Sequence, residues 1–195
     1  MVATVLIIAA YICGSLPTGV WLGRYAGVDV RQGGSGNIGA TNVARTVGLR
    51  PAFLTLIGDI TKGLVPAVVA RALLMDQRLI ALAALAAFFG HIFSMFLRFS
   101  GGKGVATGFG AFLGLAPGAA GVAALVFAVT ALMTRYVSLA SMLAAASLPV
   151  ASAMLGGAPP ICGAAMVVGA TIIIRHRDNL ARLLRGMEPK FRIKS

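Results

Sequence analysis

The sequence predicts an all-α, polytopic integral membrane bundle of about seven transmembrane helices, short and long spans together, and three observations lead there. Hydrophobic residues make up 58% of the 195 positions and charged residues 11%, where a soluble domain carries about 25% charged. With a mean hydropathy of +0.92, the chain has too little polar surface to cover a water-soluble fold. Its apolar residues come in runs close to the ~20 that cross a bilayer. Its 17 Lys and Arg, against five Asp and Glu for a net charge of +12, sit between those runs rather than in one stripe. That pattern marks a cytoplasmic face and attracts anionic headgroups and substrates. It does not point to nucleic acid.

The first run, 3–23, ends at Arg24. It lacks a basic leader and a small-residue cleavage site before a soluble domain, so it is expected to be retained as a span. Residues 24–51 form a polar loop with Arg24, Arg31, Arg45 and Arg50 against Asp29 alone. Pro51 suits the first turn of a helix, and a second span, 52–73, contains Asp59 and Lys62. A tight turn at Met75–Arg78 precedes a third span, 79–97, which carries His91 near its end; Arg98–Gly104 is the second polar loop. The apolar run Val105–Met133 is too long for one ordinary crossing. Pro117-Gly118 splits it into a short fourth span, 105–116, and a fifth, 119–134.

Thr134-Arg135-Tyr136 then interrupts the apolar sequence before a sixth span near 137–155. The turn signal GGAPP at Gly156–Pro160 leads to a seventh, 161–174, and to a basic tail over 174–195. Leu180, Leu183, Leu184 and Met187 alternate there with Arg182 and Arg185, the spacing of an amphipathic helix on the anionic inner leaflet. Taking 105–133 as one crossing would give five spans and put Arg135 outside. Seven spans keep nearly all Lys and Arg on one face, with the N-terminus outside and the C-terminus in the cytoplasm. No internal repeat or linker appears, so one domain, 1–195, is expected. Cys13 and Cys162 lie in apolar segments without metal-ligand spacing and read as small hydrophobes.

The chemistry-bearing stretch is Gly33–Gly48, GGSGNIGATNVARTVG. Its glycines, Gly34, Gly36 and Gly39 among them, let the backbone approach a ligand closely. Ser35, Asn37, Thr41 and Asn42 add neutral polar groups, and Arg45 adds a guanidinium suited to phosphate or carboxylate. Gly34–Gly39 fits G-x-G-x-x-G literally, but no strand precedes it and no βαβ pattern surrounds it, which excludes a dinucleotide fold. Gly101-Gly102-Lys103-Gly104 likewise fails as a Walker loop, with Leu97 and Gly104 at the diagnostic positions. What survives is a pair of glycine-rich loops, one with Arg45 and one with Lys103, at helix starts on one face, where exposed N–H groups favour an anion.

His176 follows the last span between Arg175 and Arg177, with Asn179 three residues on. In a helix the two share a face and either grip one phosphate or hydroxyl, or form only an interfacial anchor. Ser138 and Ser141 either donate to a ligand or bond back to helix carbonyls. His91 reads as a buried structural histidine. Asp59 and Lys62 pair with each other or support the first loop. No paired-carboxylate site and no metal pattern is apparent, so chemistry is expected to rest on positioning and electrostatics.

Three stretches in order, GSGNIGATNVAR (Gly34–Arg45), FSGGKGVAT (Phe99–Thr107) and RHRDN (Arg175–Asn179), closely resemble the signature motifs of the bacterial PlsY family. The resemblance runs across nearly the whole chain, including GDITKG at Gly58–Gly63, Gly90-His91, TRYVSLAS at Thr134–Ser141 and the EPKF tail. Ser94 stands where the family carries proline, and Ser100 where lysine or another polar residue often precedes GGKG. The resemblance implies transfer of a fatty acyl group from acyl-phosphate to the 1-hydroxyl of glycerol 3-phosphate, giving lysophosphatidic acid and inorganic phosphate. It implies a seven-helix fold in the bacterial inner membrane with a cytosol-facing site. No coenzyme A, acyl carrier protein or metal is implied, and the protein is expected to work as a monomer among membrane lipid.

By the same resemblance Ser35, Asn37, Gly39, Thr41 and Asn42, with Gly34 and Gly36, surround the acyl-phosphate head. Arg45, Lys103, Ser141, His176 and Asn179, with Gly102 and Ser138, hold the glycerol phosphate. Ser35, Arg45, Lys103, His176 and Asn179 are the expected catalytic set. A small anion transporter is the rival reading, disfavoured because the outer halves of the spans offer few polar groups. An acyl-CoA-dependent enzyme is disfavoured by the lack of an HxxxxD pair.

Overall fold

The computed structural model describes residues 1–73 and 75–191; the last four residues of the predicted tail lie outside the described residues. Every described element is helical. The chain divides into two compact units, one up to Leu115 and one from Ala116 onward.

In the first unit, α1 (Val2–Ser15) and α2 (Thr18–Tyr25) share one apolar stretch. Pro17 breaks it, because proline supplies no N–H and cannot continue the ladder. A seven-residue helix, α3 (Ala40–Thr46), leads to α4 (Leu49–Ala72), which accepts Pro51 in its first turn. Next comes α5 (Gln77–Ile92), whose first N–H groups, those of Arg78 and Leu79, are capped by the Asp76 carboxylate. A 3₁₀ turn (Met95–Leu97) and α6 (Val105–Leu115) complete the unit.

α4 packs on α5 and α6, and α1 packs on α5. Between α1 and α5, and between α4 and α6, backbone meets backbone. A Cβ on Gly14 would overlap the Ala87 carbonyl, one on Gly63 that of Thr107, and one on Gly110 that of Ile60. Without water to drive helices together in lipid, such close approach of small residues supplies the packing.

The second unit holds α7 (Pro117–Thr134), α8 (Val137–Met154), α9 (Pro159–Arg175) and α10 (Arg177–Leu184). α8 lies between α7 and α9, and α10 packs against α8 and α9. Between α9 and α10 the axis turns by 55° at His176.

Among the described residues, five stretches are long and apolar enough to cross a membrane: Val2–Tyr25, Leu49–Ala72, Gln77–Leu97, Pro117–Thr134 and Val137–Met154. A sixth is the bent pair α9–α10, and α6 is a shorter apolar helix. The chain is therefore an integral membrane helical bundle, with about seven apolar segments where the sequence places them. Leu54, Ile57, Val65, Leu125, Leu132 and Ile174 face outward, as suits a lipid solvent as apolar as they are.

Two segments differ internally from their prediction. The first is broken at Leu16-Pro17, and the third leaves the α-helix at Ile92 rather than continuing to 97. The bend after Ile92 forms without proline. Ser94 opens the 3₁₀ turn, and its buried hydroxyl donates to the Ser15 carbonyl at the end of α1.

Candidate active site

The first glycine loop is built around Asn42. Buried on α3, its amide nitrogen donates to the carbonyls of Val30 (2.8 Å) and Gly33 (3.2 Å), and its Oδ1 accepts from the Ser35 N–H at 2.8 Å. Gly34 and Gly36 take φ of +58° and +69°, a region that glycine enters without penalty. At Gly34 a Cβ would also overlap the Asn42 carboxamide oxygen. Below the loop, Val20, Val30, Ile38, Val43 and Ala52 form a small core that ties it to α2, α3 and α4.

This scaffold leaves Ser35 and Arg45 exposed, Asn37 and Thr41 half-buried. The Asn42 side chain serves the loop's own backbone. The loop's one carboxylate, Asp29, is bound by Arg31 through both guanidinium and carboxylate forks, at 2.9 and 2.6 Å. Hydrogen bonds from the Arg31 side chain and backbone lower its pKa to about 2. Asp29 is thus paired as an anion across the working pH range, and Arg45 meets no competing free carboxylate from within the loop.

The second glycine loop is folded back onto the end of α5. Arg98 and Phe99 adopt left-handed φ of 52° and 60°, costly for side-chain-bearing residues and typical of functional turns. The reversal is fixed by backbone bonds from Phe99 to Ser94, Gly101 to Ile92 and Gly102 to His91. Gly102 lies so close to the His91 ring that a Cβ there would overlap Nε2. Lys103, half-buried between the buried glycines 102 and 104, leaves this seat just before α6 begins.

In the second unit Ser138 and Asn179 meet on one carboxylate, Glu188 of the EPKF stretch. Ser138 Oγ donates to its Oε1 at 2.7 Å, Asn179 Nδ2 to the same oxygen at 2.6 Å, and Arg182 Nε to Oε2 at 2.7 Å. Burial alone would raise the Glu188 pKa; the three hydrogen bonds and the Arg182 charge more than offset it and hold the carboxyl below its usual range. After α10 the chain turns at Gly186 (φ +69°) and folds back, the Phe191 N–H donating to the Arg135 carbonyl. Lys190 lies over the Tyr136 ring.

Ser141 bonds back to the Val137 carbonyl at 2.8 Å. Ser138 donates to a carboxylate fifty residues on rather than back to a helix carbonyl. His176 sits buried at the α9–α10 bend with Nδ1 2.8 Å from the Ile172 carbonyl. A carbonyl only accepts, so Nδ1 carries a hydrogen, and in the neutral ring Nε2 is then the acceptor. Asn179 lies within the first turn of α10. Glu188 was not among the expected site residues; its place in the EPKF stretch of the tail was the available signal.

A family model described as glycerol-3-phosphate acyltransferase matches residues 4–186. Glycerol-3-phosphate acyltransferases of Geotalea daltonii and Geobacter sulfurreducens are 47% and 48% identical over 188 and 189 residues, each alignment covering 96% of this chain and 97% of the relative. Two crystal structures of PlsY (YgiH), an integral membrane glycerol 3-phosphate acyltransferase, are similar at 39% identity. The glycerol 3-phosphate form has a TM-score of 0.95, covering 98% of this chain and 96% of that one. The lysophosphatidic acid form has a TM-score of 0.92, covering 99% and 97%.

Proposed function

The chain belongs to the PlsY family of glycerol-3-phosphate acyltransferases, and we propose that its acyl donor is an acyl-phosphate. The reaction joins the fatty acyl group to the 1-hydroxyl of sn-glycerol 3-phosphate, releasing inorganic phosphate and leaving lysophosphatidic acid. The observation that carries this reading is the pair of similar structures. One is described in a glycerol 3-phosphate form and the other in a lysophosphatidic acid form, the acceptor and product of a single acylation. The donor assignment rests on the residues. Two glycine-rich loops bearing cations suit two phosphate-containing substrates, and an acyl-phosphate brings its own leaving group, so no strong enzymic nucleophile is required.

Ser35, the loop N–H groups at Gly34, Gly36 and Gly39, and the polar side chains of Asn37 and Thr41 are assigned to the acyl-phosphate head. Asn42 maintains their arrangement. The glycerol phosphate is assigned to Arg45, Gly102, Lys103, Ser141, His176 and Asn179, with Ser138, which shares the Glu188 carboxylate with Asn179. The glycerol oxygen attacks the acyl carbonyl carbon, a C–O bond forms, and the tetrahedral centre collapses with the carbonyl–phosphate C–O bond breaking. The proton from the attacking hydroxyl passes to a phosphate oxygen. The protein's part is orientation and neutralisation of phosphate charge.

The monomer is proposed to be the working form, in the bacterial cytoplasmic membrane, N-terminus outside and site facing the cytoplasm. The deciding experiment supplies purified protein with radiolabelled glycerol 3-phosphate and either palmitoyl-phosphate or palmitoyl-CoA. Lysophosphatidic acid from palmitoyl-phosphate alone is the expected result; product from palmitoyl-CoA alone overturns the donor assignment.

A further inference from the structure

An ionic cluster lies buried beneath both glycine loops of the first unit. Asp59 and Lys62 on α4 and His91 on α5 are each no more than 4% exposed. Asp59 Oδ1 accepts from Thr18 Oγ1 at 2.6 Å and pairs with Lys62 Nζ at 2.8 Å; His91 Nδ1 lies 3.8 Å from the same oxygen. Lys62 also donates to the Leu16 carbonyl at 2.8 Å, at the break between α1 and α2. All three residues occur in stretches long and apolar enough to cross a membrane, where charge is expensive.

Stability does not explain such an expense, since a buried ion pair replaced by apolar residues of similar volume is often no less stable. Its connections do. Beside Thr18, Gly19 touches the first glycine loop so closely that a Cβ would overlap the Ile38 carbonyl. At the other end, His91 meets Gly102 through its ring and accepts the Gly102 N–H at its own carbonyl, at 3.1 Å. We infer that Asp59, Lys62 and His91 are positioning residues: one buried cluster sets the register of both glycine loops and, through the seat of Gly101 and Gly102 on His91, fixes where Lys103 presents its ammonium. None of the three touches substrate in this scheme. The consequence for glycerol 3-phosphate rests on the function proposed above, whereas the seating of the loop does not.

The test uses full-length protein with His91→Leu, which keeps bulk and removes both ring nitrogens, and His91→Gln, which keeps a side-chain amide near the place of Nε2. Hydrogen exchange of peptides spanning 98–106 is expected to quicken at least tenfold in His91→Leu, with peptides from α7 and α8 unchanged. The KM for glycerol 3-phosphate is expected to rise at least tenfold while that for palmitoyl-phosphate stays within twofold. His91→Gln should recover most of both effects.

Wild-type exchange in His91→Leu, equal movement of both KM values, or a glutamine variant no better than leucine overturns the inference. Should His91→Leu not fold, Asp59→Asn, nearly isosteric and uncharged, decides by exchange: peptides spanning 33–48 and 98–106 are both expected to quicken, and wild-type exchange in either overturns the inference. If the wild type fails to acylate glycerol 3-phosphate, the functional reading falls, and exchange at 98–106 still decides the positioning role.

Discussion

Arg45 and Lys103 carry like charge on unlike supports. Arg45 projects from a short helix whose first turn contains the loop-organising Asn42. Lys103 stands in a loop between two glycines, with no room for a Cβ at Gly102. A hydrogen bond to a charged group is worth about 1.5–3 kcal/mol, or roughly ten- to hundredfold in kcat/KM. Arg45→Ala and Lys103→Ala should each lower kcat/KM for glycerol 3-phosphate by that factor, with elution and melting of the purified protein unchanged. Arg45→Lys should rescue poorly, because an ammonium cannot reproduce the planar fork. Wild-type turnover by either alanine variant would remove that residue from the site. Asn42→Ala should behave differently. It strands buried loop groups at about 1–3 kcal/mol each, so a lower Tm and weaker use of both substrates are expected together.

At the scale of elements, the turn after α10 is held by one carboxylate, and its pH response has a definite sign. Glu188 has an ordinary value of 4.5 and is held below it in the folded chain. A depressed carboxyl contributes stability that is complete above its unfolded value and is lost as pH falls through the folded one. The wild-type melting temperature should therefore fall below about pH 4.5 more steeply than that of Glu188→Gln, which should already melt lower at pH 7. Asp29 titrates low in both proteins, so the difference between the two curves isolates Glu188. Parallel curves would show that the clasp contributes nothing to stability.

The clasp also shows what a sequence conceals. Apolar run lengths reveal the helices because a bilayer imposes a length, and motif residues such as Ser35 and Arg45 are visible because few other reasons place them together. Hydropathy is blind to the break at Leu16-Pro17, since the composition is continuous across it and the freed Leu16 carbonyl is satisfied by Lys62 on another helix. In the same way Ser138 finds Glu188 fifty residues away, beyond any local spacing rule.

For the molecule as a whole, the critical segment is α6. Its 11 residues rise only about 1.5 Å each, roughly half of the ~30 Å hydrocarbon core. A segment this short crosses only where polar backbone at its ends is sheltered by protein rather than by lipid. Contact of Gly63 with Thr107 and of Gly110 with Ile60 supplies such shelter from α4. If α6 crosses, Arg135 is cytoplasmic together with the basic loops; if it does not, Arg135 is outside and the positive-inside pattern fails.

Single cysteines in place of Gly27, Gly118, Arg135 and Gly156 distinguish the two, once Cys13 and Cys162, the two free cysteines, are replaced by alanine. In right-side-out vesicles a membrane-impermeant maleimide should label Gly118→Cys and Gly156→Cys at once. Gly27→Cys and Arg135→Cys should react only after permeabilisation. Immediate labelling of Arg135→Cys would mean that α6 enters and leaves by the same face, and the orientation proposed for everything after it would have to be reversed.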